Sequence, residues 1–271
     1  MLDNNHICNS IKIEWGGFSL LEVLISESNN INKKFCNALD IGSNHGNHTE
    51  IMRNFGLRVE QIDKYNPNAE IHDDFNEYKF NKKYDVIFCS HVVEHQRNIG
   101  LFLDKIFDVL SDDGVLIISG PVHEAERFVE GHIASTIFPL FLQSLIYAGF
   151  DCKNGKTMML GGVENSFIVK KAKNFELSER KETGFKWTEK HRERSPVDLT
   201  AGSFIRNGKL ELLNCEIWKV EGEDGLSFSL PIDYKPRDID IEFCTWNVIK
   251  IFDDYLNDIN YENDKYVLLK V

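Results

Sequence analysis

Three carboxylates and a row of histidines stand just after apolar runs of this 271-residue chain. The first landmark reads Asn37-Ala38-Leu39-Asp40-Ile41-Gly42-Ser43-Asn44-His45-Gly46. An apolar run ends there in an acid and a Gly-x-x-x-Gly loop. Glycine allows the tight turn and close backbone approach that a bound group requires. An acid ahead of the loop repels a pyrophosphate and suits a cationic ligand, and the first glycine of the GxGxxG dinucleotide fingerprint is missing. Asp63 closes the next apolar run, where a carboxylate can accept both hydroxyls of a ribose. Asp74-Phe75 offers a carboxylate for an adenine amino group and a ring to pack on the base, with Asp73 as the neighbouring alternative. His45, His48, His91, His95 and His123 each follow a predicted strand. Imidazole titrates near neutral pH, so it suits proton transfer.

The elements that must position these groups alternate. The apolar spacing predicts a helix from Trp15 to Ser28, then strands at residues 35–39, 57–62 and 84–90 with a short one at 71–75. A helix is expected at 48–55, with Gly56 at its C-cap, and another at 99–110, closed by a turn at 111–114. A strand at 115–119, a helix at 133–148 and a closing pair of strands at 151–156 and 165–171 complete the pattern. Apolar strands separated by helices indicate an α/β fold, a doubly wound, mostly parallel sheet covered on both faces. Such sheets bind ligands beyond the carboxyl ends of their strands, where the acids and histidines lie.

Read in order, the segments DIGSNHG, QID, DDF, YDVIFCSHVVEH and FDVLSDDGVLIISGP stand at regular intervals. Together they resemble the class I S-adenosylmethionine-dependent methyltransferases, over about residues 35–171. Asn44 and His45 depart from the family pattern, which often has a glycine in the loop. The resemblance implies a Rossmann-like methyltransferase fold with S-adenosyl-L-methionine as cofactor. It implies that Asp40, Gly42, Ser43 and Gly46 shape the pocket for the methionine part. Asp63 would hold the ribose, and Asp74 and Phe75 the adenine. Cys89, Ser90 and His91, expected just past their strand, would lie near the sulfonium.

Methyl transfer is an in-line displacement that needs alignment above all. A hydroxyl acceptor also needs a base, for which His123 and His91 are the candidates; Glu124 and His132 are expected beside His123 to contact substrate. His91-Val92-Val93-Glu94-His95 is similar to the Glu-x-x-Glu-His magnesium segment of ubiquinone-type O-methyltransferases. Histidine in the first position disfavours magnesium, and no metal site is favoured.

The formal net charge of −12, without a basic tract, argues against nucleic acid as partner. There is no NPPY-like segment after the 84–90 strand. The reading is an O-methyltransferase acting on a small molecule, foremost a sugar, glycan or sugar phosphate. The alternatives are a non-catalytic cofactor- or glycan-binding protein and a nucleotide-dependent oxidoreductase. No membrane span and no secretory signal are seen, so a cytoplasmic location is expected, and a homo-oligomer is compatible with the sequence. All six cysteines read as reduced, mostly structural thiols.

Residues 1–172 read as the methyltransferase domain with its N-terminal helix, and 173–200 as a charged linker or solvated helix. Residues 201–271 read as a β-rich accessory domain, with a lid, a dimerisation module and a glycan-binding sandwich as the alternatives. Asn207-Gly208 predicts a hairpin there, as does Glu223-Asp224-Gly225, and Trp187, Trp218 and Trp246 are candidate glycan-stacking residues.

Overall fold

The computed structural model describes residues 16–28, 35–121, 128–160, 164–181, 187–198, 203–204, 210–213, 218–222 and 225–229. Helix α1 (Gly17–Ser28) precedes β1 (Asn37–Ile41), α2 (Asn47–Asn54), β2 (Arg58–Ile62) and β3 (Tyr84–Ser90). Then come α3 (Ile99–Val109), β4 (Leu110–Pro121), α4 (Phe138–Tyr147), β5 (Phe150–Leu160) and β6 (Glu164–Lys171). Helix α5 (Glu189–Arg194) and strands β7 (Val197–Asp198), β8 (Ser203–Phe204), β9 (Leu210–Leu213), β10 (Trp218–Gly222) and β11 (Gly225–Ser229) follow.

The main sheet runs β2-β1-β3-β4-β6-β5-β9. Strands β1 to β4 pair in parallel, while β6 is antiparallel to both β4 and β5. The sequence YDVIFCS reads as an uninterrupted apolar run because a central parallel strand is buried on both faces. Alternation then sorts its residues. Leu39, Ile41, Ile87, Cys89, Leu116 and Ile118 join the core formed with Phe102, Leu103 and Ile106 of α3 and Phe141, Leu142 and Leu145 of α4. The intervening residues face α1 and α2: the His48 ring meets Phe88 at 4.8 Å, and Ser166 Oγ lies 2.7 Å from Ser19 Oγ. Helices cover both faces, as the alternating pattern requires.

The structure corrects several boundaries. β1 extends through Asp40 to Ile41, so the acid sits inside the strand. The expected strand at 71–75 is reduced to a single bridge between Ile62 and Ile71. The 111–114 turn is part of β4, whose pairing with β3 shifts register between Tyr84 and Val86. Helix α4 starts at Phe138, with Pro139 in its first turn, where its missing N–H costs nothing.

The stretch read as a linker is docked. Arg194 is 1% exposed, and its guanidinium donates to Asn174 Oδ1 at 3.1 Å, the Ile146 carbonyl at 3.2 Å and Glu179 Oε2 at 2.5 Å. The spread of mixed charges hid the fact that one cation turns inward and is fully satisfied. Trp187 packs against Tyr147 and stacks on His191 with ring centroids 5.1 Å apart, so it is a packing residue of this segment. Further on, β10 and β11 pair antiparallel with Gly222 opposite Gly225. The Asn207-Gly208 turn lies outside the described residues; the strands on either side of it pair elsewhere, β8 with β7 and β9 with β5. Trp246 and residues 231–271 also lie outside the described residues.

Candidate active site

A cavity of about 1220 Å³ opens at the carboxyl ends of β1, β2 and β3. Its first wall is the loop after β1. Gly42 has φ 72°, and a Cβ there would collide with Val92, so glycine is required on both counts. Gly46, at φ 80°, leads into α2 and leaves no room for a Cβ beside Gln61. Asn44, itself left-handed at φ 48°, donates its N–H to Asp63 Oδ2 at 2.9 Å. Asp63 Oδ1 accepts from the N–H groups of Tyr65 at 2.7 Å and Asn66 at 2.9 Å. One carboxylate therefore ties together the loops after β1 and β2 while facing the cavity.

Asp74 lines the same cavity and pairs with Lys64 at 3.0 Å. Partial burial pushes its carboxyl up, but the Asn76 amide and Lys64 outweigh that and hold it below the usual carboxylate range. Phe75 presents an edge to the cavity, but its ring belongs to the core, 5.5 Å from Phe80 and 5.2 Å from Phe102. Ile41 and Ile62 complete the apolar wall, and exposed Tyr65 and Leu101 stand on its rim.

Other expected residues do not reach this cavity. Asp40 is buried beneath the loop on the α2 side, where it accepts the Thr49 hydroxyl at 2.5 Å. Burial raises its pKa to about 7, with Asp63 adding to the rise and Thr49 opposing it. Its position is structural: it holds the start of α2 under the loop. Ser43 is buried and Gly46 shapes the turn without lining the cavity. Cys89 and Ser90 lie within β3 rather than beyond it. Cys89 points into the α3–α4 core, where burial pushes its thiol well up, and Ser90 points to the opposite face, 3.0 Å from Ser119 Oγ. The two-residue period of a strand sends these neighbours to opposite faces, and neither to the cavity. His123 and Glu124 lie outside the described residues.

His91 does line the cavity, as the first residue after β3, with φ 53°. Its Nε2 lies 3.1 Å from Glu164 Oε2 and its Nδ1 3.3 Å from Glu94 Oε1. Burial alone would strip its proton, but the two carboxylates prevail and raise its pKa to about 9. At neutral pH it is an imidazolium and has no lone pair with which to accept a proton. Glu164 carried no motif; a lone acid opening a strand was its only signal.

Glu94, His95 and His132 come together, with one ligand atom from each lying within 4.8 Å of the others. Glu94 is 1% exposed; its Oε1 lies within ion-pair distance of His91 Nδ1, at 3.3 Å, and its Oε2 has no hydrogen-bond partner among the described residues. His95 Nδ1 donates to the Gly131 carbonyl at 2.9 Å, which turns Nε2 toward Glu94, 3.9 Å from its Oε1. This set could hold a metal ion, with His91 beside it, its Nδ1 turned to Glu94 and its Nε2 to Glu164.

A parallel sheet ordered β2-β1-β3-β4, with β6 inserted antiparallel between β4 and β5, is the methyltransferase variant of the doubly wound fold, and the cavity lies at its carboxyl ends. Residues 19–141 match the family model described as a methyltransferase domain. These residues are therefore a methyltransferase domain of the class I S-adenosylmethionine-dependent type, whose cofactor is S-adenosylmethionine.

Among curated relatives, the chain is 28% identical over 145 residues to the ubiquinone biosynthesis O-methyltransferase of Rickettsia canadensis, a match covering 48% of this chain and 59% of the relative. The Rickettsia prowazekii protein of the same name is 30% identical over 145 residues, covering 48% and 55%. The chain thus spans less than two thirds of the curated relatives it matches. Among solved structures, Burkholderia thailandensis 1,6-didemethyltoxoflavin-N1-methyltransferase superposes with a TM-score of 0.47 at 16% identity, covering 57% of this chain and 79% of that one.

Proposed function

We propose that the chain transfers the methyl group of S-adenosylmethionine to a hydroxyl oxygen of a small molecule. The observation that carries this reading is the cavity bounded by Gly42, Asp63 and Asp74 at the strand ends of a methyltransferase domain. Asp63 meets the ribose hydroxyls and Asp74 the adenine amino group, while the Gly42 loop admits the methionine part. The bound cofactor supplies an electrophilic methyl on a cationic sulfur. The protein's own task is to align the acceptor oxygen behind that methyl and to exclude water.

Deprotonation of the acceptor falls to His123, the first histidine beyond β4, because His91 is held as an imidazolium. His91 then serves as a fixed positive group of the cavity wall. The name of the Rickettsia relatives favours oxygen as the acceptor atom; a sugar, glycan or sugar phosphate is the proposed class. The test is cofactor-dependent methylation across a panel of sugars, sugar phosphates and phenols. The expected result is oxygen methylation of a sugar, with His123→Ala lowering kcat by about a hundredfold or more. Methylation of phenols alone would overturn the sugar class, and full turnover by His123→Ala would overturn the base.

A second reading rests on Glu94, His95 and His132. A buried carboxylate with an unpartnered Oε2, beside an imidazole anchored on a backbone carbonyl, is what a divalent ion needs, and a set with two imidazoles suits zinc better than magnesium. Zinc titration by calorimetry is expected to give one site that His132→Ala abolishes. Binding unaffected by that substitution would sink this reading.

A further inference from the structure

Glu164 is fully buried, and its two oxygens serve different parts of the molecule. Oε1 accepts the N–H of Gly16, the residue leading into α1, at 2.9 Å. Oε2 pairs with His91 Nε2 at 3.1 Å, in the cavity wall. Burying a carboxylate is costly unless it is paired, so this pairing determines where both partners sit. Gly16 passes in contact with the strand ends, since a Cβ on it would come within 2.7 Å of Ser119 Oγ and 2.9 Å of Ser90 Oγ. Helix α1 is then fastened to the β5–β6 hairpin by Ser19 on Ser166 and by Glu22 on Lys156. The only tie among these that continues into the cavity wall is the one through Glu164.

We propose that Glu164 is a positioning residue that couples the seating of α1 to the orientation of His91, so that cofactor binding and docking of the N-terminal helix favour one another. The inference rests on the reading of the cavity as the cofactor site. A coupling of this kind is reciprocal: whatever orders one end strengthens the other. Glu164→Gln keeps an acceptor for Gly16 and removes the charge that holds His91, whereas His91→Asn removes the ring and leaves Glu164 on Gly16.

The test is a double-substitution cycle on S-adenosylhomocysteine affinity by calorimetry, with amide exchange of residues 17–28 followed in parallel. Each single change is expected to weaken binding about tenfold, and the double change no further, because both break one connection. S-adenosylhomocysteine is expected to slow α1 exchange in the wild type and not in Glu164→Gln. Lys156→Ala, which loosens α1 away from the cavity, should speed exchange yet keep the ligand-induced slowing. Additive losses, or ligand protection of α1 retained in Glu164→Gln, overturn the coupling while the cofactor site stands. No binding by the wild type overturns the cofactor reading, and the coupling with it.

Discussion

Asp40 is a carboxyl group with a single hydrogen-bond donor, sealed under a loop and placed near another acid. Its folded pKa of about 7 lies above the ordinary 3.8, so the folded state binds more protons than the unfolded state between those values. Its contribution to stability is therefore present in full below about pH 3.8 and is lost as pH rises through about 7. The expected loss is a few kcal/mol at most. Urea unfolding across this window should show the decline in the wild type and a flatter profile in Asp40→Asn; identical profiles would contradict it. His91, raised to about 9, has the same sign in a higher window, with its contribution full below pH 6.5 and lost as pH rises through about 9. Asp63 serves the cavity directly. Asp63→Ala removes charged hydrogen bonds to three backbone amides and the proposed ribose contact, and about a tenfold to hundredfold loss of S-adenosylhomocysteine affinity is expected by calorimetry.

The loop after β1 works only because its two glycines occupy left-handed backbone next to occupied space. Gly42→Ala is expected to abolish measurable cofactor binding while far-UV circular dichroism stays native, since the new methyl meets Val92 on the cavity side. Wild-type affinity in this variant would refute the loop's assigned part. Helix α5 supplies a contrasting case. Arg194→Ala removes a buried guanidinium with three acceptors and leaves Glu179 with the Lys190 ammonium, at 3.6 Å, as its cation, and should cost about 1–3 kcal/mol of unfolding free energy.

The elements were legible to the degree that their physics is local. Continuous apolar runs marked the parallel strands, and the acids after them marked the ligand edge. Facing was not legible, because a strand shifted by two residues carries its acid from the loop into the sheet, as happened to Asp40. Cys89 and Ser90 fell to a different cause: the bounds of their strand, 84–90, were legible, but they are its last two residues and alternate to opposite faces of the sheet. Arg194 and Glu164 were hidden by distance instead: the partners of Glu164 lie 148 and 73 residues away in the chain.

At the scale of the molecule, a domain at residues 19–141 sits inside a chain of 271 residues with a net charge of −12. Among the described residues no helix is long and apolar enough to cross a membrane. Ligand preference is the measurement that separates the methyltransferase from a dinucleotide enzyme. S-adenosylhomocysteine at a hundred times its Kd should raise the unfolding free energy by about 2.7 kcal/mol, whereas NAD at the same concentration should leave the transition unmoved. A shift with NAD alone would reverse the assignment.

The placement of the thiols has a further use. Cys36 is exposed, whereas Cys89 and Cys152 are sealed and hard to ionise. Cys89 lies mid-sheet between Ile41 and Ile118, directly behind the strand ends that carry the cavity. A thiol reagent can reach it only during transient opening of the sheet centre. Its modification rate, read by mass spectrometry against the immediate reaction of Cys36, is therefore a built-in clock for the breathing of the cofactor edge, and a ligand that fills the cavity should slow it.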